Sequence, residues 1–529
     1  MEGHRRRVVR TLLSMRSTDP PMSRLTMSRL SRFAAMALLA LESCLMLRAA
    51  CADEFDAARE VVRQHLVENR IPGMSVAVWR DGRIIWEQGF GWADLEHRIA
   101  ATEHTAFDVA SVTKTLTAVA LMRLVQDGRV ELDRPANQYL GENALRSRGA
   151  DAGSITLRHL ANHTSGLQGG DQFFFGDSAT QAPSTDQAIA RYGFAFAETG
   201  KRYRYSNLGY GVLGQVIAQV SGRSYEDFLR EEIFLPLGMN RSSVHPADEM
   251  RPYAATRYDM DRRPISFGRS VLPAAGSVYA SVHDMARFGL FLSKQRLADQ
   301  VPILSDASID AMLRNRVSTG KPGVDYGIGL VEERLGGYDL VGHTGSSSGA
   351  SAYFAMIPAR NLGVMLLANV HGGASEKLLS KVLQKFLPDW QEARSPAKPP
   401  VAVAGFQPTP RLIGAWQGVV HTYEGDLPIR LQVFPSRDVH VRIGKPRFPW
   451  MEVEDALLNH VRFVDAELTG TTLAQIDTSD TKRYPHTVSL SLILRGNVLS
   501  GQATAVSRFD GVWIYALPYW TELHKIDAD

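Results

Sequence analysis

"DVASVTKTLTAVALMRLVQDG", residues Asp108 to Gly128, places a serine and a lysine one helical turn apart at the head of an almost wholly apolar run. If Ser111 opens a helix, Lys114 at i+3 lies on the same face, with its amine within reach of the hydroxyl. A lysine pressed into apolar surroundings loses some of its preference for the charged form, so it can take a proton from a serine. The spacing alone is weak. Ser395 with Lys398 and Ser479 with Lys482 repeat it, and neither pair opens an apolar helix. Context and companions must carry the reading.

Two companions lie downstream. "YRYSNLGYG" offers Tyr205 and Asn207 just before a second apolar helical pattern. A phenol beside an ammonium shares its proton more readily, and an amide side chain hydrogen-bonds a substrate amide without charge. "LVGHTGSSSGAS" ends a strand-like run with His343, Thr344 and Gly345, where a glycine lets substrate approach the backbone. Singly, Tyr205 reads as a packing tyrosine, Asn207 as a helix cap and His343 as a polar strand end. His371-Gly372-Gly373 shows that His-x-Gly also arises elsewhere. The three motifs in this order, on helix, loop and strand, are improbable by coincidence.

With 529 residues, 44% hydrophobic and 22% charged, the chain has an ordinary globular composition and room for several domains. Its formal charge of +3 misleads, because the first 52 residues hold nine Arg, no Lys and three acids. The remainder has 50 basic against 53 acidic residues, which gives no footprint for nucleic acid. Residues 1–52 read as a signal peptide or other targeting prefix: arginines as far as Arg32, then the apolar "FAAMALLALESCLMLRAACA", then Ala50-Cys51-Ala52 as a cleavage site. Export to a periplasmic or extracellular compartment is the expectation. Glu42 and Arg48 interrupt the apolar run, so an uncleaved membrane anchor, an organelle transit peptide and a lipoprotein acylated at Cys51 are the rivals, and translation from Met27 would shorten the head. Both cysteines, Cys44 and Cys51, lie in this prefix, so removing it removes disulfides and cysteine chemistry together.

From Asp53, the apolar positions Phe55, Ala58, Val62 and Leu66 predict an amphipathic helix, and "GMSVAVWRDGRIIWEQGFG" predicts a hairpin turning at Asp81-Gly82. Strand-like runs return only at "YDLVGHTG", "ASAYFAMIPA" and "LGVMLLANV", followed by the amphipathic "SEKLLSKVLQKFL". An α+β unit over 53–392 follows, its antiparallel sheet assembled from both ends with a helical subdomain inserted between them. Residues 393–410 form a proline-rich linker, and 411–529 carry short β runs expected of an antiparallel barrel or sandwich.

The segment from about 55 to 390 resembles the serine β-lactamase and penicillin-binding-protein superfamily, in its branch of class C β-lactamases, D-Ala-D-Ala carboxypeptidases and esterases. Besides the three motifs, "ITLRHLANHTSGL", "FLPLGM", "PAAGSVYASVHDMARFG" and "YGIGL" carry the likeness. The resemblance implies Ser111 as acylated nucleophile, Lys114 as its activating partner and Tyr205 as proton shuttle. It further implies Asn207 as ligand to the substrate amide, His343, Thr344 and Gly345 as a pocket edge, and the backbone N–H groups of Ser111 and Ser346 as oxyanion hole. His163 and Ser165 of "HTSGL" are structural by the same comparison. No metal or organic cofactor is expected; the partner is a small-molecule or peptide substrate, in a cell-wall setting if it is D-Ala-D-Ala-like. His343 departs from the lysine typical of class C β-lactamases. A neutral imidazole gives a substrate carboxylate no fixed cation, so weak β-lactam turnover is expected. An ester hydrolase, or an acylated sensor that never turns over, is the alternative. Gly414-Ala415-Trp416 resembles the opening of a lipocalin-like barrel, with a plain core tryptophan as the other reading.

Overall fold

A β-branched run, a two-residue turn and a second run make the hairpin that seeds the larger sheet. The computed structural model describes residues 55–147, 152–246, 249–391, 406–444 and 455–526; the targeting prefix and most of the linker lie outside them. The described residues from Ala58 onward form one compact unit. In the hairpin, Gly73–Arg80 pairs antiparallel with Arg83–Asp94, and Asp81 and Gly82 both take positive φ, as the tight primed turn requires. Gly73–Arg80 pairs on its other edge with Leu362–Ala368, nearly three hundred residues away. Ala350–Ile357, Tyr338–Ser347, Val331–Leu335 and shorter strands follow outward, so the sheet is assembled from both ends of the segment as expected.

Helices cover both faces, so the central strands lack the alternation of a half-exposed sheet. Ala350–Ile357 and Leu362–Ala368 are buried at every position. On one face the helix Val282–Leu292 lies so close that a Cβ on Gly289 would fall 2.2 Å from the Trp79 ring, and one on Gly363 2.1 Å from it. Trp79 fills that slot completely buried, and truncating it would cost ~3–5 kcal/mol. The helix Thr113–Gln126 has eleven buried residues, Thr113 to Met122 and Leu124, which explains a sequence apolar nearly all round. It packs among the inserted helices, near Asn207–Ser221 and the Pro273–Gly276 turn.

The C-terminal strands form an antiparallel meander from Gly414–Thr422 to Val512–Ile526, and these first and last long strands pair with each other, Ala415 opposite Ile526. The two ends of the ladder, Ala456–Leu457 and Asn459–Val464, are separated in the chain by Leu458 alone, so the sheet curls into a nearly closed barrel. Trp416 of the Gly-x-Trp stretch is fully buried inside it and donates from Nε1 to the Leu412 carbonyl at 2.9 Å.

Candidate active site

Ser111 stands in a short 3-10 turn, Ala110–Val112, that runs into the helix Thr113–Gln126. The residue before it, Ala110, is held at φ +46, a conformation that costs a non-glycine residue of order 1–3 kcal/mol and persists only where neighbours over-determine it. Two of those neighbours are visible. The Ala110 N–H donates to Asp108 Oδ1 at 2.8 Å, and a Cβ on Gly345 would fall 2.2 Å from the Val109 carbonyl oxygen. Gly345 therefore serves the close approach of strand to nucleophile turn, which differs from the expectation that its bareness serves the substrate.

Lys114 is fully buried, and its ammonium donates to Ser111 Oγ at 3.1 Å and to the Ala275 carbonyl at 2.7 Å. Desolvation brings its pKa down to about 7, against the opposing pull of Asp171. The Tyr205 ring lies 4.7 Å below Nζ. Although 39% of Tyr205 is exposed, burial of its hydroxyl end raises its pKa, and a hydrogen bond with Ser111 opposes the rise. Asn207 begins the helix Asn207–Ser221 but does not cap it; Ser206 does, its Oγ accepting from the Gly209 N–H at 2.9 Å. Asn207 is thereby free to line the cavity beside Ser111.

On the strand, His343 is nearly buried and spends both ring nitrogens inside the protein. Nδ1 donates to the Thr344 carbonyl at 2.6 Å, so Nε2 is left to accept from the Tyr326 hydroxyl at 2.8 Å. Burial, with Lys114 nearby, takes the His343 pKa down to about 3, which fixes the ring as neutral. His163 is buried against Tyr205, ring centroids 4.4 Å apart, and its Nδ1 accepts from the Ser206 N–H at 3.1 Å. It supports the Tyr205 loop from beneath. His371, of the other His-x-Gly, also reaches the rim, with Nδ1 2.9 Å from Ser346 Oγ.

Ser111 and Ser346 sit between two cavities. The larger, about 570 Å³, includes Tyr203, Tyr205, His343, Thr344 and Lys321. The smaller, about 80 Å³, includes Asp108, Asp171, Asn207, Phe173 and Trp513. Its far wall comes from the strand Asp171–Phe175, which pairs with Gly268–Ser270 on one edge and with Tyr515 and Ala516 of the barrel on the other. Trp513 belongs to the barrel, and its N–H donates to Ser348 Oγ at 2.7 Å. The C-terminal domain thus borders the cleft.

A family model described as Beta-lactamase matches residues 58–385, more than half of the chain. The chain belongs to that family. Penicillin-binding protein 4 of Amycolatopsis lactamdurans is 28% identical over 367 residues, 65% of this chain and 90% of that one. A putative penicillin-binding protein, PbpX, of Bacillus subtilis (strain 168) is 32% identical over 243 residues, 45% of this chain and 59% of the relative. Among solved structures, the octameric penicillin-binding protein homologue from Pyrococcus abyssi superposes with a TM-score of 0.53 at 22% identity, over 88% of this chain and 99% of that one. The β-lactamase/D-alanine carboxypeptidase from Pseudomonas syringae gives 0.54 at 21% identity, over 63% and 99%. At these identities the structural likeness is one of fold.

In this Beta-lactamase family member, the positions read from the motifs gather about Ser111: Tyr205, Asn207, His343, Thr344 and Ser346 line one or other of its two cavities, Lys114 lies buried beside it, and Gly345 packs against the turn that carries it. Asp171, Tyr326 and Trp513 were not singled out from the sequence. Asp171 is the one with a local signal, a lone acid after "LQGG" and before the aromatic run "FFF".

Proposed function

We propose that this chain is a serine hydrolase that works through a Ser111 acyl-enzyme on an amide or peptide carbonyl of the D-Ala-D-Ala or β-lactam type. The observation that carries the reading is the buried Lys114 ammonium donating to Ser111 Oγ at 3.1 Å. Once Lys114 has lost its proton it can accept the one on Oγ as the oxygen attacks the carbonyl. The backbone N–H groups of Ser111 and Ser346 steady the oxyanion. Tyr205, which its raised pKa keeps protonated, hands its proton to the leaving nitrogen and recovers one from Lys114, so that the Oγ proton ends on the leaving group. Water then attacks the ester and the acid leaves.

A second reading, hydrolysis of a carboxylic ester, is favoured by His343. Its neutral ring is already bonded to Tyr326 and Thr344, so it gives a substrate carboxylate neither cation nor free donor. Weak turnover of carboxylate-bearing β-lactams follows from the same geometry. Export, inferred from the prefix, belongs with this reading, since cell-wall peptides lie outside the cytoplasm.

Intact-protein mass spectrometry over time tests it, with a penicillin, a short activated ester and Ser111→Ala as control. A Ser111-dependent penicillin adduct supports the amide reading; persistence marks a sensor, and rapid loss marks turnover. Ester cleavage through Ser111 without a penicillin adduct supports the esterase. Labelling or turnover that survives Ser111→Ala overturns both.

A further inference from the structure

The two cavities beside Ser111 divide the substrate between them. Asn207, the ligand to the substrate amide, lines the smaller, and Tyr205, which protonates the leaving nitrogen, lines the larger. The leaving group therefore enters the larger cavity, and the walls there describe what that group is. One wall follows the strand Tyr338–Ser347 away from the nucleophile, from Thr344 through Gly342 to Leu340, alternate residues that share a face of the sheet. These four steps of strand carry the cavity about 13 Å beyond Thr344. A single residue of extended chain spans ~3.5 Å and fills only the first part of that length. At the far end stands Glu333, the cross-strand partner of Leu340. Tyr353, the partner of Thr344, donates from its hydroxyl to Glu333 Oε1 at 2.6 Å. Glu376, the first residue of the helix Glu376–Phe386, joins Glu333 in the wall.

We propose that Glu333 and Glu376 bind a cation on the leaving side of the substrate, so that the hydrolase favours an extended leaving group with an amine or guanidinium about 13 Å from the bond it breaks. The inference deepens the acyl-enzyme reading above and rests on it. Charge complementarity chooses the occupant. Other acids of this sheet edge are already paired, Glu332 with Arg316 at 2.9 Å and Asp339 with Arg334 at 2.8 Å. Among the described residues, neither Glu333 nor Glu376 has a cation within ion-pair distance, although Lys321, exposed on the turn beyond, shares their wall. One lysine against two carboxylates leaves that end of the cavity negative, and the neutral His343 adds no cation nearer Ser111. The Tyr353 hydroxyl holds one Glu333 oxygen in place, which fixes where the other can accept from a substrate ammonium. The chemistry is unchanged by this subsite. Ser111 Oγ forms the ester as the bond to the leaving atom breaks, the hydroxyl proton ends on that atom, and the departing chain keeps its cation.

The test keeps the acyl group constant and varies only what leaves. N-acetyl-O-butyryl-tyrosyl-lysine amide carries an ammonium on the phenol that departs, and its glutamine and glutamate counterparts carry no charge and an anion. Phenol release, any burst included, is followed as kcat/KM in the wild type, in Glu333→Gln/Glu376→Gln and in Ser111→Ala, with p-nitrophenyl butyrate as a leaving group too short to reach the acids. The expected result is a preference for the lysine over the glutamate peptide of about tenfold, with glutamine between them, largely erased in the double variant. Because the ratio is taken within one protein, a variant that yields less folded enzyme still reports it, and the wild-type ratio decides alone if the variant does not fold. Equal or better cleavage of the glutamate peptide by the wild type, or a lysine preference that survives the double variant, overturns the cation subsite. With p-nitrophenyl butyrate still cleaved through Ser111, either result leaves the acyl-enzyme reading standing. Ester cleavage that persists in Ser111→Ala, or no release from any ester by the wild type, overturns that reading and the subsite with it.

Discussion

Lys114 shows how one buried side chain sets both activity and stability. Its pKa is about 7 in the folded protein and near 10.5 when unfolded. Below pH 7 both states hold the proton, so the full penalty of burying the charge is present. Between 7 and 10.5 the unfolded chain binds more protons than the folded one, so this group's contribution to stability rises with pH across that window. Two outcomes are expected. kcat/KM on any substrate should climb through about pH 7 as the amine becomes available as a base. Lys114→Met should abolish turnover yet gain roughly 1–3 kcal/mol at pH 6 in urea unfolding, the gain being trimmed because the Ala275 carbonyl loses its donor. A loss of stability at pH 6 would show that the hydrogen bonds outweigh the desolvation. At the same scale, His343→Lys should shift kcat/KM toward carboxylate-bearing β-lactams relative to small esters, because it exchanges a neutral ring for a cation. An unchanged ratio would mean that position 343 does not set substrate choice.

Among the elements, the strand Asp171–Phe175 walls the smaller cavity and was the least visible in the sequence. The hairpin at Asp81-Gly82 and the buried helix after Ser111 announce themselves through local pattern, alternation around a turn in one case and an unbroken apolar run in the other. The motif residues were legible for the same reason, since each lies at the head or end of such an element. "DQFFF" has no alternation of that kind, and its partners at Gly268–Ser270 and Tyr515–Ala516 lie roughly a hundred and more than three hundred residues away, where no local window reaches. Tyr326 was missed likewise, because its hydroxyl meets His343 only once the strands Val324–Tyr326, Val331–Leu335 and Tyr338–Ser347 lie side by side. The strand is delivered by two glycines. Gly169 and Gly170 take φ +62 and +81, and the Gly170 N–H donates to the Ala516 carbonyl at 2.8 Å. Gly170→Ala should therefore cost ~1–2 kcal/mol from backbone strain alone. It should also lower kcat/KM more than Tm would suggest, because the strand that follows walls the cavity beside Ser111. Thermal melting beside ester kinetics checks this, and unaltered kinetics would mean that the strand keeps its place without the glycine.

At the scale of the whole molecule, the barrel is built into the hydrolase by more than one strand pair. Arg191 donates to both carboxylate oxygens of the barrel's Asp480 at 3.0 Å, and the Tyr192 hydroxyl donates to Oδ2 at 2.5 Å. Arg204, the neighbour of Tyr205, pairs with Glu467 of the barrel at 3.2 Å. The Arg204 pair lies next to Tyr205 in the chain, and the barrel's pairing with Asp171–Phe175 holds a wall of the smaller cavity. Cooperative units share such buried polar links, since breaking one leaves desolvated partners on both surfaces. The hydrolase and barrel should consequently unfold in a single calorimetric transition. Asp480→Ala strands the Tyr192 hydroxyl and the Arg191 guanidinium, and should lower that one transition by ~1–3 kcal/mol in place of releasing the barrel alone. It should reduce ester turnover as well, because the loosened barrel holds both Trp513 and the partner of the Asp171 strand. Two resolved transitions in the wild type, or a variant that loses the barrel transition with full activity retained, would show that the barrel sits against the cleft without helping to form it.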